Sequence, residues 1–595
     1  MRTQSATATI TRTVAAAAGV FAPGHLGELT QYLPFELVDD VLAQTKTAQR
    51  RLRDLPSRAG VYFVLALGMF PHLGYLRVWG KLTAGLAGLG LPCPSEKALR
   101  DLRRRLGPAP LKVLFEVVAG PLAQPHTPGV RFGGLRTVAF DGCNSVKVPD
   151  TDRNRSWIGR IRCRMSWAGY PTLRLMALAE TGTRSLLGAT VGSAADRDET
   201  ALAARLLPLL RPGMLVLLDR GFDAGWFFAG ITRTGAMLLG RARASRSPQV
   251  REHLPDGSYL SCLDGLNVRI IEADVAATGA DGTRVADSYR LITTLTDHRR
   301  YPAAALVRLY HERWEIESAF LALRHTLLNG RVLRSGDRPG IEQELWGLLT
   351  LYQLLRRAMV TAVETRPGTN PDRASFTTAL EAARDQVTAA QGICPTGPAD
   401  LRGVIGRAVL ATLLPARRPR YSARKIKAPT SRYQARDDTR PHTTTAITAI
   451  GITIRTPPLD LRPRRPRPGP KGKKPRPPRP PTRRQRVTAL MTTDPHRTWS
   501  GQELAAQLQI KPHNLLTQLA EWSRLGFLAH TDYGTYALNT RPGNTSWTNP
   551  PDPQLRGLAA QRGRTTLTVI FARRHNARRE EDGLATDAGA VTTNA

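Results

Sequence analysis

Leu135-Arg136-Thr137-Val138-Ala139-Phe140-Asp141-Gly142 decides the fold. A mostly apolar run rich in strand-forming residues and ending in a carboxylate reads as a buried β-strand that delivers Asp141 to its C-terminal end. Met214-Leu215-Val216-Leu217-Leu218-Asp219-Arg220-Gly221 repeats the pattern. Ligand crevices of α/β sheets form at the carboxyl ends of strands, so both aspartates are placed for chemistry. A third acid, Glu317, lies in the helical stretch Leu309-Tyr310-His311-Glu312-Arg313-Trp314-Glu315-Ile316-Glu317. Two strand-end aspartates and one helix glutamate can converge on a site for two divalent cations.

Such a site suits a phosphodiester, and the bulk charge agrees. Lys plus Arg (85) exceeds Asp plus Glu (48) for a formal net charge of +37, which favours a polyanionic partner. Two-metal cleavage needs carboxylates that hold the ions roughly 3.5–4 Å apart. Mg²⁺ takes oxygen ligands and keeps waters, so few carboxylates suffice; Mn²⁺ is the alternative ion. Taken singly, Asp141-Gly142 and Asp219-Arg220-Gly221 also read as plain turns, and Glu317 as a solvated helix residue. Asp152, Asp196, Asp198, Asp223, Glu312 and Glu315 compete for the same roles. Glu315 falls about 200° round the helix from Glu317, so only one of them can face the sheet.

At 595 residues the chain exceeds what one core usually supports, so several domains are expected. Residues 18–120 read as a helical domain and a candidate DNA-binding region, with helices over Pro34–Leu42, Val61–Met69 and, capped by Ser95, up to Leu106. Arg50, Arg51, Arg53 and Arg103 to Arg105 make basic faces, suited equally to solvent and to DNA. Residues 130–435 read as the catalytic domain. Strands are expected at Arg136–Phe140, Leu173–Ala179, Ser185–Val191, Leu215–Leu218 and Ala236–Gly240, with helices Glu199–Leu210 and Ala224–Thr234 around the fourth. This β-β-β-α-β-α-β order, closed by the Glu317 helix, is an α/β layout matching an RNase H-like core. It is interrupted by a β-rich insertion over about 244–297. Helices over 341–363 and 373–390 are expected to pack against that core.

Residues 455–486 read as a basic, Pro-rich linker: 461–486 holds twelve Lys/Arg, nine Pro and no acid, an extended polycation. Residues 487–540 regain order as a winged-helix-like module. Ser500 and Glu503 form its first capping box, and Lys511 to Arg524 is its recognition helix. A protein-binding winged helix is the alternative there. Residues 545–595 are expected to be disordered. Cys93, Cys143, Cys163, Cys262 and Cys394 show no metal-ligand spacing, which argues for a reducing cytoplasm. The short, Ala-rich run Val14–Val20 reads as the approach to a domain rather than a signal peptide, and no apolar run is long enough for a membrane span.

Tyr310, Arg313, Glu317 and Arg324 stand at offsets of three, four and seven, one face of an ideal helix. This resembles the Tyr-x2-Arg-x3-Glu-x6-Lys signature of the insertion-sequence-4 family of DDE transposases, with Arg324 where the family usually has Lys; that keeps the charge and alters donor geometry. Val138–Gly142 and Leu217–Phe222 are similar to the family's two aspartate strands, the β-rich insertion is a family trait, and residues 20–95 are similar to its N-terminal domain. The resemblance spans roughly 20–435, its basic end being Arg424–Tyr433. It implies that Asp141, Asp219 and Glu317 hold Mg²⁺ and that Tyr310, Arg313 and Arg324 contact DNA phosphates. It further implies a cut-and-paste reaction on double-stranded DNA, with element terminal inverted repeats and target DNA as partners and a homodimer as the active form. The location would be the bacterial cytoplasm, at the nucleoid. An RNase H-like nuclease or resolvase, and a degenerate element kept as a DNA-binding regulator, are the competing readings.

Overall fold

The structure, a computed structural model, describes residues 24–538 other than 50, 52, 87–89, 160–169, 194–195, 197, 311–314, 394–401, 416–419, 422–444, 459–482 and 525–527. The basic end at 424–433, most of the 461–486 tract and residues 545–595 lie outside the described residues. The chain divides into two compact units, Met1–Pro463 and Arg464–Ala595.

In the first unit, β1 (Leu135–Lys147), β2 (Thr172–Glu180) and β3 (Leu186–Gly192) form an antiparallel meander. The chain then passes through helix Glu199–Ala204 to β4 (Met214–Leu218), and through helix Gly225–Thr232 to β5 (Met237–Arg241). Helical crossovers bring strands back in the same direction, so β4 runs parallel beside β1 and β5 parallel beside β4. The five expected strands are present, and the mixed α/β layout holds. β1 departs from expectation in one respect. Asp141 does not end the strand: the antiparallel ladder to β2 continues, Asp141 opposite Ala177, through to Lys147 opposite Thr172. Only the ladder to β4 stops, at Ala139 opposite Leu217.

The insertion extends this sheet. β6 (Tyr259–Leu263), β7 (Leu266–Gly279) and β8 (Arg284–Thr293) follow β5, and β8 pairs antiparallel with β5 through Leu291–Arg241, Ile292–Gly240 and Thr293–Leu239. β9 (Thr445–Arg455) then joins β7, beyond residue 435. The order is β9-β7-β8-β5-β4-β1-β2-β3, with Arg420–Tyr421 outside β9 and β6 off the main path on β7.

Alternate residues point to opposite faces of a strand, and this splits the interior in two. Val138, Phe140, Val216, Leu218 and Leu238 pack with Leu202, Phe222, Phe227 and Phe228 of the crossover segments. Ala139, Leu215, Leu217, Leu239 and Leu291 belong to a larger core shared with Leu306, Tyr310, Phe320 and Leu323. That core runs on through the 27-residue helix Arg338–Glu364 and the N-terminal helix Ser57–Met69. Ser95 caps helix Glu96–Leu106, accepting from the Ala98 amide at 3.1 Å. Arg103 differs from expectation. It is 6% exposed and bonds to Gln343 (2.9 Å), Glu344 (3.0 Å), Ser335 and Tyr75. It therefore ties the N-terminal helices to the long helix and belongs to no basic face; a buried guanidinium needs such partners.

The second unit runs helix Arg483–Thr492, strand Trp499–Ser500, helices Gly501–Gln507 and Pro512–Arg524, and a hairpin Leu528–Asp532 with Thr535–Leu538. Strand Trp499–Ser500 pairs with Thr535–Leu538 to complete a three-stranded sheet. Ser500 accepts from the Glu503 amide at 3.3 Å, as expected of its cap. Arg483, Arg484 and Arg486 open a helix, so the end of the basic tract is already part of this unit. Val487, Met491, Trp499, Leu504, Leu515, Leu519, Leu528 and Tyr536 form its core.

Candidate active site

The register of the parallel strands sets the geometry. Ala139 lies opposite Leu217, and Leu217 opposite Leu239. Two residues further along each chain stand Asp141, Asp219 and Arg241. Neighbouring strands are about 4.8 Å apart, so these three occupy one row. Continuing the alternation, they share the face of Ala139, Leu217 and Leu239, the one that meets the larger core. Asp141 Oδ1 accepts from the Gly142 amide at 2.9 Å. Asp219 caps the short turn Arg220–Phe222, accepting from the Gly221 amide. Both aspartates are half-buried, and the parallel ladders on either side of β4 end just before them.

The helical segments that follow the insertion lie over this same face. Helix Ala303–Tyr310 and helix Glu315–Leu321 contribute Leu306, Tyr310, Ala319 and Phe320 to the larger core. Helix Glu315–Leu321 packs on β1, so the backbone carrying Glu317 reaches the strand that carries Asp141. Arg313 and the side chain of Glu317 lie outside the described residues. Among the described residues, no group of three or more His, Cys, Asp and Glu side chains is gathered as a metal site.

Arg324 is reached by a different path from the one expected. After Leu321 the helix widens into a π turn over Ala322–Leu327, with the Leu328 amide bonded to the Leu323 carbonyl. The straight-helix spacing from Tyr310 to Arg324 therefore fails past Leu321, since a π turn rotates later residues out of α register. Arg324 Nη1 donates to Ser145 Oγ on β1, and Nη2 meets His325 Nε2 at 3.1 Å. Its Nε is buried without a hydrogen-bond partner. Tyr310 is 5% exposed, its ring edge-on to Tyr289 of β8 at 6.2 Å and 62°.

The described rival acids have structural employment. Asp223 is 3% exposed and accepts from the Arg243 amide at 2.7 Å, with Arg246 Nε also at 2.7 Å. Asp196 pairs with Arg205, Asp152 with Arg155, and Asp198 caps helix Glu199–Ala204. Burial pushes the Asp196 carboxyl upward, but the Ser193 and Arg205 bonds together hold it below its ordinary value. Arg241 drew no notice in the sequence. The signal available was its place straight after the β5 run, matching Asp219 after β4.

Two family models match: the insertion element 4 transposase N-terminal model over residues 23–116, and the transposase DDE domain model over residues 134–354. Transposase InsG for insertion sequence element IS4, from Escherichia coli (strain K12), is 28% identical over 424 residues, covering 68% of this chain and 92% of that protein. The chain belongs to the insertion-sequence-4 family of DDE transposases. It is a DNA transposase. The putative transposase y4zB of Sinorhizobium fredii (strain NBRC 101917 / NGR234) is 26% identical over 164 residues, 25% of this chain and 44% of that one. A solved piggyBac transposase synaptic complex with hairpin DNA matches with a TM-score of 0.32 and 11% identity, over 66% of this chain and 85% of that one. The transposase DDE match takes in β1 to β8, the aspartate row and the helical segments up to residue 354. Both matches end before β9 and before the whole second unit. No helix among the described residues is long and apolar enough to cross a membrane.

Proposed function

We propose that Asp141, Asp219 and Glu317 form the catalytic carboxylate set of an RNase H-like core that cuts and rejoins DNA at element ends. The observation that carries this is the row: two aspartates at one height on neighbouring strands, under the helix bearing Glu317. The strand order β3-β2-β1-β4-β5, with the first three antiparallel and the last two parallel, supports the RNase H-like reading. Hard carboxylate oxygens on adjacent strands fit Mg²⁺, or Mn²⁺ in its place. Bound there, the cations would supply Lewis-acid activation of the attacking oxygen and charge neutralisation at the leaving oxygen. The chain's own residues orient the strand: Arg324, pinned to Ser145 with a spare Nε, binds a phosphate oxygen, and Arg313 another. Tyr310 was expected on a phosphate, but its burial against Tyr289 suits it to supporting the helix.

The substrate would be double-stranded DNA, at the terminal inverted repeats and then at the target, handled by a homodimer in the cytoplasm at the nucleoid. Water would nick first, and the freed 3′-hydroxyl would attack next. The test uses a duplex carrying the DNA that flanks the coding region. Asp141→Ala, Asp219→Ala and Glu317→Gln should each abolish Mg²⁺-dependent nicking and leave DNA affinity intact. A triple variant that nicks normally would overturn the assignment. A strand-transfer assay separates a transposase site from a resolvase or plain nuclease.

The helix–strand–helix–helix–hairpin order of the second unit supports a winged-helix reading in which Pro512–Arg524 would be the recognition helix and the hairpin, tipped by Tyr533 (97% exposed), the wing. That winged-helix reading, in a unit beyond both family matches, is what favours the regulator as a second reading, and the nicking assay decides between them. Deleting 461–482 removes nine Lys/Arg and should weaken DNA binding and flatten its salt dependence, by about 0.9 in log–log slope for each phosphate no longer neutralised. An unchanged affinity and slope would reject a DNA role for that tract.

A further inference from the structure

We propose that the outer part of the ribbon β9-β7-β8 is the surface on which a second copy of this chain docks, centred on the strip Ile450, Ala277 and Val285; this rests on the reading of the active form as a homodimer.

β5 pairs with only the last three residues of β8, Leu291 to Thr293. Arg284–Arg290 therefore run on past Arg241, beyond the end of the sheet where the aspartates stand, and β7 and β9 run with them. At about 3.3 Å per residue the ribbon rises roughly 23 Å past that end. A two-stranded hairpin is marginally stable in water, and a third strand firms it. Here β9 supplies the third strand, from beyond both family matches. The Ala280 amide donates to the Ala446 carbonyl at 2.8 Å and ties the tip to it.

Rows crossing the three strands show where the ribbon is bare. Ile454, Ala273 and Tyr289 make one row, and Ile452 with Val275 the next; both are packed into or against the larger core. One row further out, Ile450, Ala277 and Val285 repeat the apolar pattern outside that core, and Ile450 is 37% exposed. The strip carries a packed surface past the end of what it packs against.

Charge names the occupant. Residues 273–289 hold three acids, Asp274, Asp281 and Asp287, against one base, Arg284, a balance of −2; residues 446–454 hold no charge. Asp274 is met by Arg455, and Asp287 Oδ2 lies 3.5 Å from Arg241 Nη2. Such a surface neutralises no phosphates and gains nothing from counterion release, so it is not an arm for DNA. A second copy has the opposite problem. Two chains that each carry +37 repel one another, and meeting through the ribbons keeps their cationic surfaces out of the contact. A two-fold contact uses the same patch on both copies. The strips then bury one another at its centre, and the acids with Arg284 give pairs of opposite sign at its rim.

The test uses the full chain and a duplex carrying the flanking DNA, with mass read by sedimentation. The parent should be a dimer on the duplex, and Ile450→Lys should raise the dimer dissociation constant at least about 10-fold. Cross-linking reads the face. Under mild oxidation Val285→Cys should form a disulfide-linked dimer, while Ala286→Cys, one residue along and on the opposite face, stays at the parent's level. A dimer that Ile450→Lys leaves intact, or equal cross-linking at 285 and 286, overturns the docking surface and leaves the homodimer reading standing. A parent that stays monomeric on the duplex overturns the homodimer reading, and the docking surface with it. Should Ile450→Lys not fold, the two cysteine variants, which change side-chain size little, decide alone.

Discussion

The two faces of the central sheet are made by alternate residues of the same strands, and they do different work. On one face Phe140, Val216 and Leu218 end in a cluster where Phe140 meets Phe227 at 5.6 Å and Phe222 at 6.3 Å. On the other, Ala139, Leu217 and Leu239 give way to Asp141, Asp219 and Arg241. The first face closes over an aromatic plug; the second opens under a helix. A step of one residue along β1 thus changes the side chain from a packed aromatic to the carboxylate of the proposed site, because the pleat turns each side chain over. The aromatic face holds the strand ends at fixed height, and that height aligns the row.

The largest break in this comparison comes from neighbours. Asp141→Asn, nearly the same size, should lower nicking by at least about 1000-fold without moving the melting temperature by more than a few degrees. Phe140→Ala should do the reverse. Emptying a site that is 0% exposed costs about 3–5 kcal/mol, read as a lowered denaturant midpoint, while the folded fraction still nicks. If Phe140→Ala abolishes nicking in protein shown to be folded, the faces are not separate.

The face that carries the aspartates also rests on a strut from the insertion. Arg269, 0% exposed, pairs with Asp256, which also accepts from the Ala303 amide at 2.8 Å where helix Ala303–Tyr310 begins. Burial pushes the Asp256 carboxyl up, but Ser258, the Ala303 amide and Arg269 together outweigh it and hold the group below its ordinary value. A depressed carboxylate contributes stability that is present above its unfolded pKa of about 3.9 and fades as pH falls through the lower folded value. Asp256→Asn should therefore cost about 3 kcal/mol near neutrality, since it strands a buried guanidinium. The gap from the parent should close below about pH 4. A gap independent of pH would show that the ionised pair is not what holds the helix.

Much of this was legible in the sequence. Short apolar runs bounded by turn residues and rich in strand-forming side chains read as buried strands, and the mixed sheet follows from the helices between them. What was not legible has physical reasons. Asn144 and Ser145 are polar and the register shifts between Cys143 and Val146, so the continuation of β1 past Asp141, sustained by β2 alone, leaves two separated apolar residues rather than an alternating run. Residues 266–293 alternate like any antiparallel pair, and local alternation does not say which sheet edge a hairpin joins. No residue in Ala322–Leu327 marks a π turn, so the helix face was extrapolated one turn too far. Arg241 bears no local mark in the sequence, because its place beside Asp219 is a relation of register across strands.

The mildest substitution probes the boundary most sharply. Gly142 follows Asp141 and faces the aromatic side; a Cβ there would lie 3.3 Å from Glu199 Oε1 and 3.4 Å from the Met176 methyl. Both are far ends of flexible side chains that can withdraw by a few tenths of an ångström. Alanine also loses less backbone freedom on folding than glycine, an opposing gain of about 0.4–1 kcal/mol. Gly142→Ala should accordingly leave stability within about 1 kcal/mol and nicking within about twofold, measured by denaturant melts and by initial rates on the same duplex. Loss of nicking in a fully stable Gly142→Ala protein would mean that the reacting strand of DNA also needs the aromatic side of β1, and the division between the faces would have to be redrawn one residue further along the chain.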